Sequence, residues 1–327
     1  MRLGFKACQS PPYWTTPMAK RHHRKPFTYL VDYVLVLIFI FAFISLDRTE
    51  PYHRHFSLTD TSIQYPMADP ERIPLWLLFI ISFLGPALIM LIWSLVEPSI
   101  TGRNTSFRER LWEGHFALLG CLLALGAAIT ITAIFKNTVG RPRPDFIARC
   151  LPNQLTNPIS FGLATSDICT QTNHAILKDG FRSFPSGHSS SSWAGEGFLF
   201  FFLAGKIRLL DQRGYVYKTF ILLVPLMAAS LCAISRSMDY RHHAFDVIVG
   251  SAIGALMAWL SYRQYYPSLV HTHYAGRAYR FLEDEFERTE GSFLPLHKPK
   301  AEEERLNSQE DREMNSHPVM LEDLESR

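Results

Sequence analysis

The chain has 327 residues, of which 47% are hydrophobic and 19% are charged, and its formal net charge is +3. Soluble globular domains carry about 25% charged residues, so this composition argues against a soluble domain and favours a protein with several membrane-spanning segments. The small net charge, with no helix-turn-helix, finger or RNA-binding motif beside it, argues against a nucleic-acid-binding protein.

Apolar stretches separated by polar segments follow one another along the chain. A bilayer offers no water to backbone N–H and C=O groups, so each stretch is expected to form a helix. The predicted fold class is therefore all-α, a polytopic membrane helical bundle with six transmembrane helices. The predicted helices span about Tyr29–Leu46, Ile73–Leu95, Leu111–Phe135, Ser190–Ala204, Phe220–Ile234 and Phe245–Tyr262.

The charged residues divide the chain into a basic N-terminal segment at 1–27, a membrane domain at 28–262 and a charged tail at 263–327. Beyond about Arg277 the tail is rich in charged residues, with few aromatic residues past Phe293, and it is expected to be largely disordered. Lys and Arg cluster near the cytosolic ends of membrane helices. The basic N-terminal segment and the basic loops before the third and fifth helices therefore predict that both termini are cytosolic.

Five cysteines are scattered along the chain, and none of them forms a CxxC pair. A zinc site is therefore not predicted. Cys150 and Cys169 share the long loop between the third and fourth predicted helices, on the face opposite the cytosol. If that face is lumenal or extracellular, the two thiols are candidates for a disulfide bond.

Cationic residues recur in polar segments on this non-cytosolic face. Lys136 and Arg143 lie at the end of the third predicted helix, and Arg236 follows the fifth. Pro142 and Pro144 stiffen the loop that carries Arg143. Clustered Lys and Arg side chains at a membrane surface are natural ligands of a phosphate group, although a single one commonly just extends to the lipid headgroups.

A second polar segment, Ser186-Gly187-His188, immediately precedes the fourth predicted helix. The free N–H groups of a first helical turn bind anions, and a glycine there lets the backbone approach the anion closely. His188 would then stand beside a bound anion. Pro-Ser-Gly is also ordinary turn chemistry, so this segment by itself is a weak signal.

The third segment carries His242 and Asp246, four residues apart at the start of the sixth predicted helix. On a helix this spacing places both side chains on one face. A carboxylate bonded to one imidazole nitrogen fixes the tautomer and leaves the other nitrogen free to attack. Taken with the cations and His188, the pattern predicts covalent phosphoryl transfer with a histidine nucleophile.

The joint spacing, K-x6-RP, then PSGH, then SR-x5-H-x3-D, resembles that of the type-2 phosphatidate phosphatase superfamily. Within it, the strings FRSFPSGHSS and SRSMDYRHHAFDV resemble the eukaryotic lipid phosphate phosphatases and diacylglycerol pyrophosphate phosphatases. The resemblance covers about residues 28–262. The matching residues are Lys136, Arg143, Pro144, Pro185, Ser186, Gly187, His188, Ser235, Arg236, His242 and Asp246.

The resemblance implies catalysis without a metal or other cofactor. It implies that His242 attacks phosphorus and becomes a phosphohistidine, that Asp246 orients His242, and that His188 protonates the leaving oxygen and then helps to activate water. The residues that would hold the phosphoryl oxygens are Lys136, Arg143, Ser186, Gly187 and Arg236.

The same resemblance implies a lipid phosphate substrate drawn from the surrounding membrane lipids: phosphatidate, lysophosphatidate or diacylglycerol pyrophosphate. Alternatives are a sphingoid or polyprenyl phosphate phosphatase, or a non-catalytic binder of lipid phosphates. The predicted topology places the active site on the lumenal, extracellular or vacuolar face. The sequence indicates neither the oligomeric state nor which membrane contains the protein.

Overall fold

A computed structural model describes residues 27–101, 106–153, 162–211, 214–270 and 275–279. Nearly all of the predicted N-terminal segment, and the predicted tail beyond Tyr279, lie outside the described residues. The described residues up to Gly276 belong to one compact unit, which carries the whole site discussed below.

The secondary structure of the described residues is helical, with two isolated backbone bridges, Phe56 to Ala164 and Pro152 to Cys169. The predicted all-α class is confirmed. A π-helical segment covers Ile80–Leu84. The α-helices are α1 Phe27–Arg48, α2 Leu75–Phe79, α3 Gly85–Thr101, α4 Phe107–Val139, α5 Phe146–Cys150, α6 His174–Gly180, α7 Gly187–Lys206, α8 Val216–Met238 and α9 Ala244–Tyr265; two short 3-10 helices cover Thr61–Ile63 and Ser166–Ile168.

Among the described residues, five helices are long and apolar enough to cross a membrane: α1, the α2–α3 pair, α4, α8 and α9. The fourth predicted transmembrane helix lies within α7, which is not one of these five. This helix packs against α4, α8 and α9, so its polar residues meet protein groups. The Thr132 hydroxyl of α4 donates to Ser190 Oγ at 2.9 Å, and Ser192 Oγ donates to the Ala229 carbonyl of α8 at 3.3 Å.

Two glycines bring α9 into backbone contact with α7. A Cβ atom added to Gly250 would lie 2.5 Å from the Ser186 carbonyl oxygen, and one added to Gly254 would lie 2.3 Å from that of Ser190. Small residues allow membrane helices this close an approach. As a result the first turns of α7 and α9 lie side by side, and the Ser186 N–H donates to the Asp246 carbonyl at 2.9 Å.

A second, smaller apolar core lies among the loops that carry the polar segments. Phe146 of α5 packs against Phe56 and Phe181, with ring centroids 4.7 and 4.6 Å away. A disulfide bond joins Cys150 to Cys169 beside this cluster. This core fixes α5 and α6 relative to the chain that follows α4, and thereby positions Arg143 against Asp179.

Candidate active site

His242 lies in the turn between α8 and α9, and its side chain is almost completely buried. Its Nδ1 lies 2.6 Å from the Ser183 carbonyl oxygen. A carbonyl oxygen only accepts hydrogen bonds, so Nδ1 must carry the proton. The other ring nitrogen, Nε2, then holds the lone pair of the neutral imidazole, which is the form required of a nucleophile.

The surroundings of His242 keep the imidazole neutral. Burial, followed by the charges of Arg143 and Lys136 and by His188, lowers the pKa of His242 well below its ordinary value. Residues of all three predicted polar segments therefore meet at this imidazole. Because protonation is disfavoured, Nε2 keeps its lone pair at neutral pH and in mildly acidic solution.

Asp246 is placed differently from the sequence prediction. Helix α9 begins at Ala244 and His243 is its N-cap, so His242 precedes the helix. The expectation that one helical face carries both His242 and Asp246 is therefore wrong. The Asp246 carboxylate, in the first turn, accepts a hydrogen bond from the His243 backbone N–H at 3.1 Å, the reciprocal contact of a capping box.

The Asp246 carboxylate is connected to His242 indirectly, through Ser183. It accepts hydrogen bonds from Ser183 Oγ at 2.6 Å and from Arg141 Nη1 at 2.7 Å. The backbone carbonyl of the same Ser183 accepts the Nδ1 proton of His242. The orienting role predicted for Asp246 thus requires an intermediary, Ser183, which is fully buried.

Arg143 follows the end of α4, where Gly140 adopts a left-handed conformation and a Cβ would overlap the Tyr52 carbonyl oxygen. Arg143 Nε donates to the backbone carbonyl of Asp179, and Arg143 Nη2 donates to the Asp179 carboxylate, each at 2.7 Å. Burial lowers the pKa of Arg143 to about 10, so its guanidinium stays charged. Burial alone would raise the pKa of Asp179, but Arg143, Arg149 and Arg241 together lower it.

The remaining predicted phosphate ligands lie at the adjoining helix ends. Lys136 Nζ donates to the Arg182 carbonyl at 3.1 Å, and a Cβ added to Gly187 would lie 3.9 Å from that Nζ. Ser186 caps α7: its Oγ accepts hydrogen bonds from the Ser189 N–H and hydroxyl, at 3.4 and 2.9 Å. The amino end of α7 therefore faces a lysine, whose positive charge adds to the anion-binding capacity of the free N–H groups of the first turn.

Arg236 and His188 both contact the chain that precedes α2. Arg236 is 1% exposed; its Nη1 donates to Glu71 at 2.8 Å and its Nη2 donates to Asp239 at 3.1 Å. His188 Nε2 donates to the Ile73 carbonyl at 3.0 Å. The site is thus a group of buried and partly buried cations and two histidines, in which carboxylates and carbonyls accept hydrogen bonds from the donors.

Comparison with known proteins identifies the family. The PAP2 superfamily profile matches residues 117–269, which include every predicted site residue. Diacylglycerol pyrophosphate phosphatase 1 of Saccharomyces cerevisiae is 37% identical over 240 residues, covering 73% of this chain and 80% of that protein. The chain belongs to the PAP2 superfamily.

Two further relatives agree with this assignment. The probable diacylglycerol pyrophosphate phosphatase 1 of Schizosaccharomyces pombe is 40% identical over 242 residues, covering 73% of this chain and 82% of that protein. Lipid phosphate phosphatase 2 of Arabidopsis thaliana is 37% identical over 239 residues, covering 72% and 77%. The resemblance inferred from the motifs is confirmed, and the protein is a multi-pass membrane member of the PAP2 superfamily.

Several residues of this PAP2 protein that contact the predicted site residues were not predicted from the sequence. Ser183 and Arg241 stand inside the strings that carry the motifs, so their positions were a usable signal. Nothing in the sequence marks Glu71 or Asp179, which meet their arginines only in the folded chain. Among the described residues, no cluster of three or more His, Cys, Asp or Glu side chains is placed to hold a metal ion.

Proposed function

We propose that this protein is a membrane lipid phosphate phosphatase that hydrolyses phosphatidate, lysophosphatidate and/or diacylglycerol pyrophosphate through a phosphohistidine on His242. The observation that carries the proposal is the state of His242: Nδ1 donates to Ser183, and Nε2 is left unprotonated beside buried cations. The names of the relatives, which are diacylglycerol pyrophosphate and lipid phosphate phosphatases, support the substrate class.

In the first half-reaction the His242 Nε2 lone pair attacks phosphorus, and a P–N bond forms as the bond from phosphorus to the leaving oxygen breaks. His188 donates a proton to that oxygen. In the second half-reaction His188 accepts a proton from water, whose oxygen attacks phosphorus. The P–N bond breaks, its electron pair returns to Nε2, and inorganic phosphate leaves.

Negative charge on the phosphoryl oxygens is stabilised by groups that the fold holds in place before substrate arrives. Arg143 is fixed by two hydrogen bonds to Asp179, and Lys136 stands opposite the first turn of α7. Donors already oriented towards developing charge need no reorganisation during the reaction, which is the main advantage of such a site. Arg236, Ser186 and the Gly187 amide complete the proposed set.

The direct test is phosphate release by the purified full-length protein in detergent. We expect release from at least one of phosphatidate, lysophosphatidate and diacylglycerol pyrophosphate, with equal rates in EDTA and in Mg²⁺, because a histidine and fixed cations supply the nucleophile and the charge stabilisation. Release only from a sphingoid or polyprenyl phosphate would reassign the substrate. Lack of turnover on every substrate, with binding retained, would contradict a phosphatase and favour a lipid-phosphate binder.

We also infer that both termini are cytosolic and that the active site lies on the opposite face of the membrane. The disulfide bond between Cys150 and Cys169 supports this topology, because it lies among the loops of the active-site face and disulfide bonds persist in oxidising compartments. A protease added outside sealed cells is expected to leave a tag on either terminus intact.

The same preparation gives a second measurement of that topology. The Cys150 and Cys169 thiols should react with maleimide only after reduction of the denatured protein. Cys121 and Cys232, which are free and buried, serve as internal controls because they react once the chain is denatured, with or without reductant. Digestion of a terminal tag from outside the cell would contradict the topology, and four reactive thiols among these cysteines without reductant would contradict the disulfide bond that supports it.

A further inference from the structure

We propose that the Glu71 carboxylate occupies part of the phosphate-binding position in the substrate-free enzyme and is displaced when a phosphate group binds. This inference rests on the proposed function of the site and goes beyond it. It assigns a residue that weakens the affinity for phosphate and that contributes no group to the reaction.

The contacts of Glu71 carry the proposal. One carboxylate oxygen accepts a hydrogen bond from Arg236 Nη1 at 2.8 Å, and the other accepts one from Arg241 Nη2. A carboxylate that spans two guanidinium groups with separate oxygens copies the way a phosphate binds to arginines. The Glu71 side chain is 26% exposed whereas that of Arg236 is 1% exposed, so Glu71 reaches into a buried cationic site from its open side.

The residues that follow Glu71 contact the same site. The Arg72 backbone N–H donates to Asp239 at 3.0 Å, and the Ile73 carbonyl accepts the Nε2 proton of His188. While this bond persists, His188 cannot donate that proton to a leaving oxygen. Productive binding therefore requires that Glu71 release the two arginines and that the Ile73 carbonyl release His188. A single displacement of Glu71–Ile73 would do both.

The arginines are suited to exchanging one anion for another. Arg236 keeps its hydrogen bonds to Ser235 and Asp239 when Glu71 leaves, so its guanidinium stays in place. Arg241 has a buried Nε without a hydrogen-bond partner among the described residues, and therefore has a donor to offer. It also belongs to the cation cluster of the site, since it lies 3.6 Å from Asp179, the partner of Arg143.

The Glu71 carboxylate, although it competes with phosphate, stabilises the protein while the site is free. Buried guanidinium groups without a counter-charge are costly, and removing one partner of a buried ion pair is strongly destabilising. Glu71 satisfies Arg236 and Arg241 while the site is free, and the more highly charged phosphate satisfies them when it is bound. The larger the fraction of protein in which Glu71 contacts both arginines, the lower the apparent affinity for phosphate.

The test is the affinity of the full-length protein for orthovanadate, a phosphate analogue, measured by calorimetry so that no turnover is needed. Glu71→Gln is expected to bind orthovanadate roughly 10-fold more tightly than the unchanged protein, because the amide binds guanidinium groups far more weakly than the carboxylate does. The same variant should have a lower unfolding temperature without ligand, since Arg236 loses its counter-charge.

Two further variants separate this mechanism from a general effect of charge. Asp69→Asn removes an equal charge from an exposed side chain in the same segment and should change the affinity less than about twofold. Glu71→Asp keeps the charge but is too short to bridge both arginines, so it should tighten binding by an intermediate factor. Equal or weaker orthovanadate binding by Glu71→Gln would show that Glu71 merely positions the arginines, and would overturn the proposal.

Failure of the proposal about Glu71 can be distinguished from failure of the proposed phosphatase function. A protein that releases phosphate from no lipid phosphate fails the proposed function, whatever its affinity for orthovanadate. A wild-type protein that hydrolyses lipid phosphates, with a Glu71→Gln variant that binds orthovanadate no more tightly, leaves the function intact and removes only the role of Glu71.

Discussion

Replacement of His242 by alanine is expected to lower kcat by roughly 10⁴-fold or more, the scale seen when the nucleophile of a covalent mechanism is removed. The cations that bind phosphate are unchanged in this variant, so orthovanadate affinity should fall far less than kcat. In the unchanged protein, rapid acid-free quenching should trap a phosphoenzyme that is labile in acid and stable in alkali, the behaviour of a phosphoramidate.

The matched control is His174→Ala, which removes an exposed imidazole in α6 that pairs with Glu50. Its kcat should remain within about twofold of the unchanged protein, as is usual for a surface substitution away from a site. Retention of a phosphoenzyme in His242→Ala, or a kcat close to that of the control, would show that another residue attacks phosphorus.

Replacement of Asp246 by asparagine is expected to lower kcat by roughly 10²-fold, because small misplacements of a reacting group cost about this much. The carboxylate holds the Ser183 hydroxyl, and Ser183 holds the His242 proton at Nδ1. Ser183→Ala keeps the backbone carbonyl that accepts this proton but loses its anchor on Asp246. We expect a smaller loss of kcat in that variant, roughly 10-fold.

A double variant that combines Asp246→Asn with Ser183→Ala distinguishes an indirect effect of Asp246 on His242 from a direct one. If Asp246 acts on His242 through Ser183, the loss in kcat of the double variant will be much smaller than the product of the two single losses. Independent, multiplying losses would instead indicate a separate path from Asp246 to the imidazole. Asp167→Asn, at an exposed position in a 3-10 helix, is the control for the exchange of carboxylate for amide. Unfolding temperatures in detergent separate loss of orientation from loss of fold.

The helical class and most of the membrane helices follow from local composition. Stretches such as Tyr29–Leu46 are almost entirely apolar and must satisfy their backbone hydrogen bonds internally, which leaves the helix as their structure. Helix ends were harder to predict. Helix α4 extends from Phe107 to Val139, well beyond the predicted Leu111–Phe135, because a capping box at Ser106 and Glu109 starts it and Gly140 ends it.

Helix α7 shows where composition misleads. Its buried serines and Glu196 make it too polar to rank with the other spans, although α4, α8 and α9 surround it. The cost of a polar side chain depends on which groups face it, and the order of residues in one helix does not reveal its neighbours. Among the described residues, five helices are long and apolar enough to cross a membrane, one fewer than the six predicted, and α7 accounts for the difference.

The sequence by itself determined which residue types gather at the site, because a phosphate needs cations and helix N–H groups, and a covalent route needs an imidazole. It also determined the family, through Lys136, Arg143, His188 and His242 at characteristic spacing. Only the tertiary structure decided how these side chains are held. Asp179 reaches Arg143 across 36 positions, and Glu71 reaches Arg236 across 165. Such contacts form where separate helix ends pack together, and they leave no periodic or local trace in the chain.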